Sequence, residues 1–143
     1  MNTNELMVAD LVYKKERDHY LPVRIIAIYE DNVDWKFRNT EGVISVNGIK
    51  PIPITAEILE ANGFIKTGYM CRCVHNLADF DNHAQLDYNL KFSTFEIKRM
   101  KNRAWTAKIY IDAHYVHELQ HALRLAGLND LADNFIIEKG GQQ

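Results

Sequence analysis

Serine is nearly absent from this chain: Ser45 and Ser93 are the only two. Neither lies in a Gly-x-Ser-x-Gly turn, so serine-nucleophile hydrolysis has no candidate. Cysteine is equally scarce. Cys71 and Cys73 lie two apart, share one face if the segment is extended, and are poorly spaced for a disulfide. Reduced thiols are expected, as in a cytosol. A tetrahedral soft-metal site would need a second cysteine pair, which the chain lacks. The seven glycines are scattered, with no Gly-rich phosphate loop. No apolar run approaches the ~20 residues that span a bilayer. Met1-Asn2-Thr3-Asn4-Glu5 has neither the basic nor the apolar region of a signal peptide. A cytoplasmic protein without a membrane partner is expected. The net charge of −2 gives no global attraction to polyanions.

Short strand-like runs separated by turns dominate what is present. Residues 6–14 and 22–30 are rich in β-branched and apolar side chains. In 33–38, Val33, Trp35 and Phe37 alternate with Asp34, Lys36 and Arg38. Glu41-Gly42 predicts a turn, a strand follows at 43–46, and Asn47-Gly48 predicts a hairpin. Many short strands in so few residues predict a small SH3-like β-barrel over 1–54. Thr55 then caps a short helix at 56–62, which Asn62-Gly63 ends. Strands are predicted at 68–75, at 86–100 with a bend or break, and at 103–111, with Lys101-Asn102 as a hairpin tip. The stretch 77–85 is polar and loop-like. His83 there keeps company with Asp79, Asp81 and Asp87, in a spacing that matches no calcium loop. Asp112 is expected to cap a helix over 114–126, ended by Gly127, with a helical turn near 130–135 and a frayed tail after it. The fold class is therefore α+β. A barrel, a short linking helix, and an antiparallel hairpin layer packed by a C-terminal helix occupy 1–54 and 55–143, or form one continuous domain.

The predicted long helix contains His117-Glu118-Leu119-Gln120-His121, the H-E-x-x-H form of a zinc hydrolase. Histidines at i and i+4 can share a metal, and the glutamate can act as general base on a bound water. A third protein ligand is missing from the pattern. Arg124 and Gly127 stand where one zinc-peptidase family has glycine and histidine, and Glu138, Asp130 and Asp133 have no motif to support them. His114, one turn before His117, cannot converge with both others on one ion, because 114 to 121 spans roughly 10 Å of helix. The alternative to a zinc cofactor is an amphipathic helix. Val116, Leu119, Ala122, Leu123 and Ala126 would then face the core, and His114, His117, His121 and Arg124 would form a solvent-facing stripe.

Three segments carry a resemblance that runs along most of the chain. They are Met7-Val8-Ala9-Asp10-Leu11-Val12 with the strand at 23–29, Ile49-Lys50-Pro51-Ile52-Pro53-Ile54-Thr55 running into Asn62-Gly63-Phe64, and Tyr115-Val116-His117-Glu118-Leu119-Gln120-His121. Together they resemble a family of small proteins encoded in Bacteroidetes genomes, often within prophage or other mobile regions. That resemblance implies that Val116, His117, Leu119 and Gln120 are the shared positions, with Glu118 and His121 dispensable. It implies no activity, so a non-enzymatic binding or accessory protein with an unknown protein partner is expected. A local stretch of about 20 residues after His117 is also similar to the metal helix of phage-type zinc peptidases.

Nucleic acid is the other partner class. Lys98, Arg99, Lys101, Arg103 and Lys108 surround the predicted hairpin tip, with Trp105 and Tyr110 beside them, and Lys14, Lys15 and Arg17 form a second basic loop. The opposing reading is a charged hairpin that discourages edge pairing. An exposed sheet edge in the second β region could also pair two copies as a homodimer.

Overall fold

A computed structural model describes residues 1–76 and 82–138. The first of its two antiparallel sheets is a meander. Its strands are β1 (Leu11–Glu16), β2 (His19–Ile28), β3 (Asn32–Phe37), β4 (Thr40–Ser45) and β5 (Ile49–Lys50), in the spatial order β4-β3-β2-β1-β5. Period-two alternation sends Val23 and Ile25 inward from β2, and Val33 and Trp35 inward from β3. Among the described residues the sheet does not close into a barrel. Gly42 pairs directly with Trp35, and a Cβ at that position would lie 2.7 Å from the indole. The ring can lie across β4 only because residue 42 has no side chain. Glu41-Gly42 is therefore strand and not turn; the β3–β4 turn falls earlier, where Arg38 takes a φ of 54°. Asn47-Gly48 sits in a 3-10 turn, Val46–Gly48, capped by the Ser45 hydroxyl.

The second half runs α1 (Ala56–Ala61), β6 (Ile65–Thr67), β7 (Met70–Asn76), β8 (His83–Asn89), β9 (Thr94–Lys101), β10 (Ala104–Asp112), α2 (Val116–Leu125) and α3 (Asn129–Asp133). Its sheet is ordered β10-β9-β8-β7-β6. The 86–100 run breaks at Ser93, whose φ is 54°. Strand β6 was not expected. It is three exposed residues long and offers no periodicity to read. The loop expected over 77–85 lies outside the described residues at 77–81 and is already strand from His83. The end of the expected tail, 139–143, also lies outside them. Asp112 closes β10 and does not cap the helix. Cys71 and Cys73 are free thiols on the inward face of β7, and burial raises the pKa of both.

Helices α1 and α2 cover the inner face of this second sheet. Ile58, Leu59, Val116, Leu119 and Leu123 pack there with Leu86, Tyr88, Phe95 and Ile97. Strand β1 is the wall shared between two cores. Leu11 points into the core under the helices, while Val12 points into that of the first sheet. Pro53 also bridges to Tyr115, and the Val116 amide donates to the Ile52 carbonyl at 2.9 Å. Helix α2 is thus clamped at its start by the segment that leaves β5.

Candidate functional site

Helix α2 begins where the chain leaves that bridge, and Glu118 closes its first turn. The Glu118 Oε1 accepts from the backbone amides of His114 (3.0 Å) and Tyr115 (3.1 Å), which would otherwise lack partners at a helix start. Its carboxylate also meets the positive end of the helix dipole. At the other end Gly127 takes a φ of +77°, and the Arg99 guanidinium donates to the Ala126 carbonyl at 2.8 Å. Each terminus is therefore held by a side chain.

The polar side of α2 is largely covered: His121 and Arg124 are partly buried, and of the expected stripe only His114, just before the helix, is exposed. His117 is only 6% exposed and Gln120 is fully buried. The expectation of a solvated stripe is corrected by the segment before β1, which lies along this side and brings Asp10 to it. Asp10 is completely buried. Its Oδ2 lies 2.7 Å from the Nε2 of His121, and its Oδ1 accepts from Arg124 Nη1 at 2.7 Å. The Met7 amide donates to Asp10 Oδ2 at 2.8 Å. A carboxylate oxygen only accepts, so the His121 proton sits on Nε2. Arg24 extends the cluster, donating to the carbonyls of Ala9 (2.9 Å) and Phe135 (2.6 Å). Burial lowers its pKa, opposed by Asp133 and Asp10, yet an arginine stays charged.

Gln120 completes the clamp. Its Oε1 accepts from the Leu11 amide at 2.9 Å, and its Nε2 donates to the carbonyls of Ala9 (3.0 Å) and Ala132 (2.9 Å). One side chain thereby joins the start of β1, helix α2 and helix α3. Val116 and Leu119, on the apolar side of the helix, are fully buried in the core.

His117 is the exception within this satisfied network. Its Nδ1 is buried without a hydrogen-bond partner. The ring lies nearly parallel to Tyr115 (13° between planes, centroids 6.1 Å apart) and edge-on to His121 at 5.5 Å. Burial pushes its pKa down, with the nearby Asp10 opposing, so the ring is neutral near pH 7. A cleft of about 340 Å³ opens here, lined by Glu5, Pro51, Tyr115, His117, Glu118 and His121.

The donor set does not fit a catalytic zinc. His121 Nε2 is committed to Asp10, and Glu118 Oε1 to the helix end. Among the described residues no three His, Cys, Asp or Glu side chains converge on a common point. Of the third-ligand candidates, Asp133 faces Arg124 at 3.4 Å, and Glu138 lines a separate groove beside Tyr13 and Pro53.

The basic hairpin splits into two faces. Arg99 turns to the helix side, as the cap of α2. Lys98 turns to the open side, with its Nζ 5.6 Å from the centre of the Trp105 ring and 3.0 Å from Glu96. Lys101 and Arg103 are exposed at the tip. Of the expected second basic loop, Lys14 and Lys15 lie within β1 and Arg17 in the turn after it; Lys14 pairs with Glu16 and lies over Trp35. His83 stands edge-on to Trp105 at 6.2 Å; Asp79 and Asp81 lie outside the described residues.

No family model matches the chain, and no curated protein or solved structure matches it significantly. Among the described residues, no helix is long and apolar enough to cross a membrane.

Asp10 is the residue that sequence reasoning missed. The available signal was an acid alone among apolar neighbours, Met7-Val8-Ala9-Asp10-Leu11-Val12, with no polar alternation to explain it.

Proposed function

We propose that this chain is a non-enzymatic binding or accessory protein of a mobile element, working in the cytoplasm. In this reading the His117–His121 string is the internal clamp of its fold. The observation that carries the reading is the position of Glu118, whose carboxylate oxygen is shared by two backbone amides. That carboxylate has a structural task, holding the start of its own helix, which needs neither metal nor substrate to explain it. The burial of Val116, His117, Leu119 and Gln120 supports the resemblance to the Bacteroidetes family, because each has a packing or bridging task that is independent of any metal. Five short antiparallel strands around Val12, Val23, Ile25, Val33, Trp35 and Ile49 support reading residues 1–54 as an SH3-like unit.

The test is the metal content of the purified, untagged protein after zinc loading and dialysis, beside a His117→Ala variant. The expected result is no stoichiometric zinc in either. One zinc per chain, lost in the variant, would overturn the reading in favour of a zinc hydrolase with His117 and His121 as ligands and Glu118 as base.

A further inference from the structure

The β9–β10 hairpin segregates charge. Residues 98–108 hold five of the 17 Lys and Arg of the chain and none of its 19 Asp and Glu. A chain of net charge −2 therefore carries a strongly basic projection. Every residue from Lys101 to Lys108 is exposed, so this part of the hairpin extends beyond the helices that cover the rest of the sheet.

A single irregularity decides which face carries the aromatics. In an unbroken strand, Trp105 and Lys108, three apart, would point to opposite sides. The pairing shifts between Trp105 and Ala107, and Thr106 becomes the extra residue, its hydroxyl donating to the Arg99 carbonyl at 3.3 Å. Such a bulge re-aims the side chains on one side of it. Here it turns the indole outward, beside Lys98 and His83, onto the face that already carries Lys108 and Tyr110. Trp105 is 50% exposed and Tyr110 63% exposed. The other tryptophan, Trp35, is buried in the first core. At the tip, Asn102 and Arg103 take φ values of 52° and 65°, a conformation that favours glycine. Arginine there is a conformational cost that keeps a second cation beside Lys101.

We propose that this open hairpin face binds single-stranded nucleic acid, with Trp105 and Tyr110 stacking on bases and Lys101, Arg103 and Lys108 meeting phosphates. The proposal deepens the binding-protein reading above and rests on it. Exposed rings with cations around them suit unpaired bases, whose flat faces a duplex hides. From 105 to 110 the strand covers at most about 16 Å at ~3.3 Å per residue. That exceeds one base step of about 3.4 Å, so the two rings would take non-adjacent bases. Glu96 lies 3.0 Å from Lys98 and 3.5 Å from Lys108, between the two rows. It disfavours a continuous anionic plane such as a lipid surface. A flexible strand can route its phosphates past it, along Lys108 and the tip.

The experiment is fluorescence anisotropy of a labelled short oligothymidylate between about 50 and 200 mM NaCl, repeated with the matching duplex, inorganic polyphosphate and phosphatidylglycerol vesicles as competitors. The expected result is oligothymidylate binding that weakens steeply with salt. The Lys101→Ala/Arg103→Ala double variant should lower the log–log salt slope by about 1.4, at ~0.7 per phosphate contact. Trp105→Ala should weaken binding roughly tenfold, with an unchanged melting temperature because the ring is outside both cores. Absence of binding, an unaffected Trp105→Ala variant, or equal competition by duplex, polyphosphate or vesicles would each overturn the proposal. Those failures leave the zinc measurement untouched. Stoichiometric zinc would instead overturn the binding-protein reading, whatever the oligonucleotide does.

Discussion

Asp10 and His121 are 111 positions apart in the chain and 2.7 Å apart in the fold. Arg124 holds the other oxygen of the same carboxylate. Removing the acid leaves a half-buried guanidinium without its main counter-charge. Asp10→Ala should therefore cost about 3–5 kcal/mol. Replacing both members, as Asp10→Leu with Arg124→Met, should recover a large part of that loss. Urea unfolding followed by tryptophan emission measures both; equal losses for the single and double variants would refute the ion pair as the cause.

Gln120 has no charge to explain its burial, and its value lies in three hydrogen bonds. Gln120→Leu fits the volume but strands the Leu11 amide, while the Ala9 and Ala132 carbonyls keep Arg24 and the Phe135 amide as donors. At about 1–3 kcal/mol for a buried group left unsatisfied, with two further hydrogen bonds lost, a loss of about 2–3 kcal/mol is expected. Hydrogen exchange at the Leu11 amide should accelerate in this variant more than at Val12. Equal acceleration of the two would mean global loosening.

His117 makes stability depend on pH. Its pKa is lowered in the folded protein, first by burial, with Asp10, Glu118 and Glu5 opposing and His121 reinforcing. As pH falls through the ordinary value of about 6.5, the unfolded chain takes up the proton before the folded one does. The contribution of neutral His117 is therefore complete above that value and is lost between it and the lower folded pKa. The urea midpoint should fall between pH 7.5 and 5.5, and His117→Phe should flatten the fall. An unchanged pH profile in the variant would assign the dependence to other groups.

Glu118 separates the structural and catalytic readings in one substitution. Glu118→Ala should lower stability by about 1 kcal/mol, the usual worth of a helix cap. A thermal melt indistinguishable from that of the unsubstituted chain would sink the capping role.

Gly42→Ala tests the approach of Trp35 to β4. The added methyl meets the indole at 2.7 Å, so the ring must shift. A loss of about 1–3 kcal/mol is expected, with a red shift of the tryptophan emission in a Trp105→Phe background. Retained stability and an unshifted spectrum would show that the ring moves freely.

Local rules made most elements legible. The Thr55 cap, the alternation in 33–38 and the Asn62-Gly63 stop are each decided within a few residues, and the α+β class follows from them. The candidate site was not legible, because its partners come from opposite ends of the chain. Helical periodicity put His117, His121 and Arg124 on one face correctly, but it carries no information on what that face meets. Asp10 supplies the answer from more than a hundred residues away. The same limit applies to Glu118: the spacing within H-E-x-x-H is identical whether the carboxylate faces a metal-bound water or the start of its own helix. Arg99 and Lys98 illustrate it in a strand, where neighbours in sequence serve opposite faces.

The Gln120 bridge also orders events during synthesis. A nascent chain that has not yet reached residue 120 has all five strands of the first sheet, but it has neither the acceptor for the Leu11 amide nor the Arg124 and His121 side chains that bond Asp10. Its first strand is left with one raw side and a buried-type acid still exposed to water. The first sheet must therefore wait, partly assembled, until residues 120–124 have emerged. A truncation before α2 should be a sticky, protease-sensitive fragment and not a free-standing module.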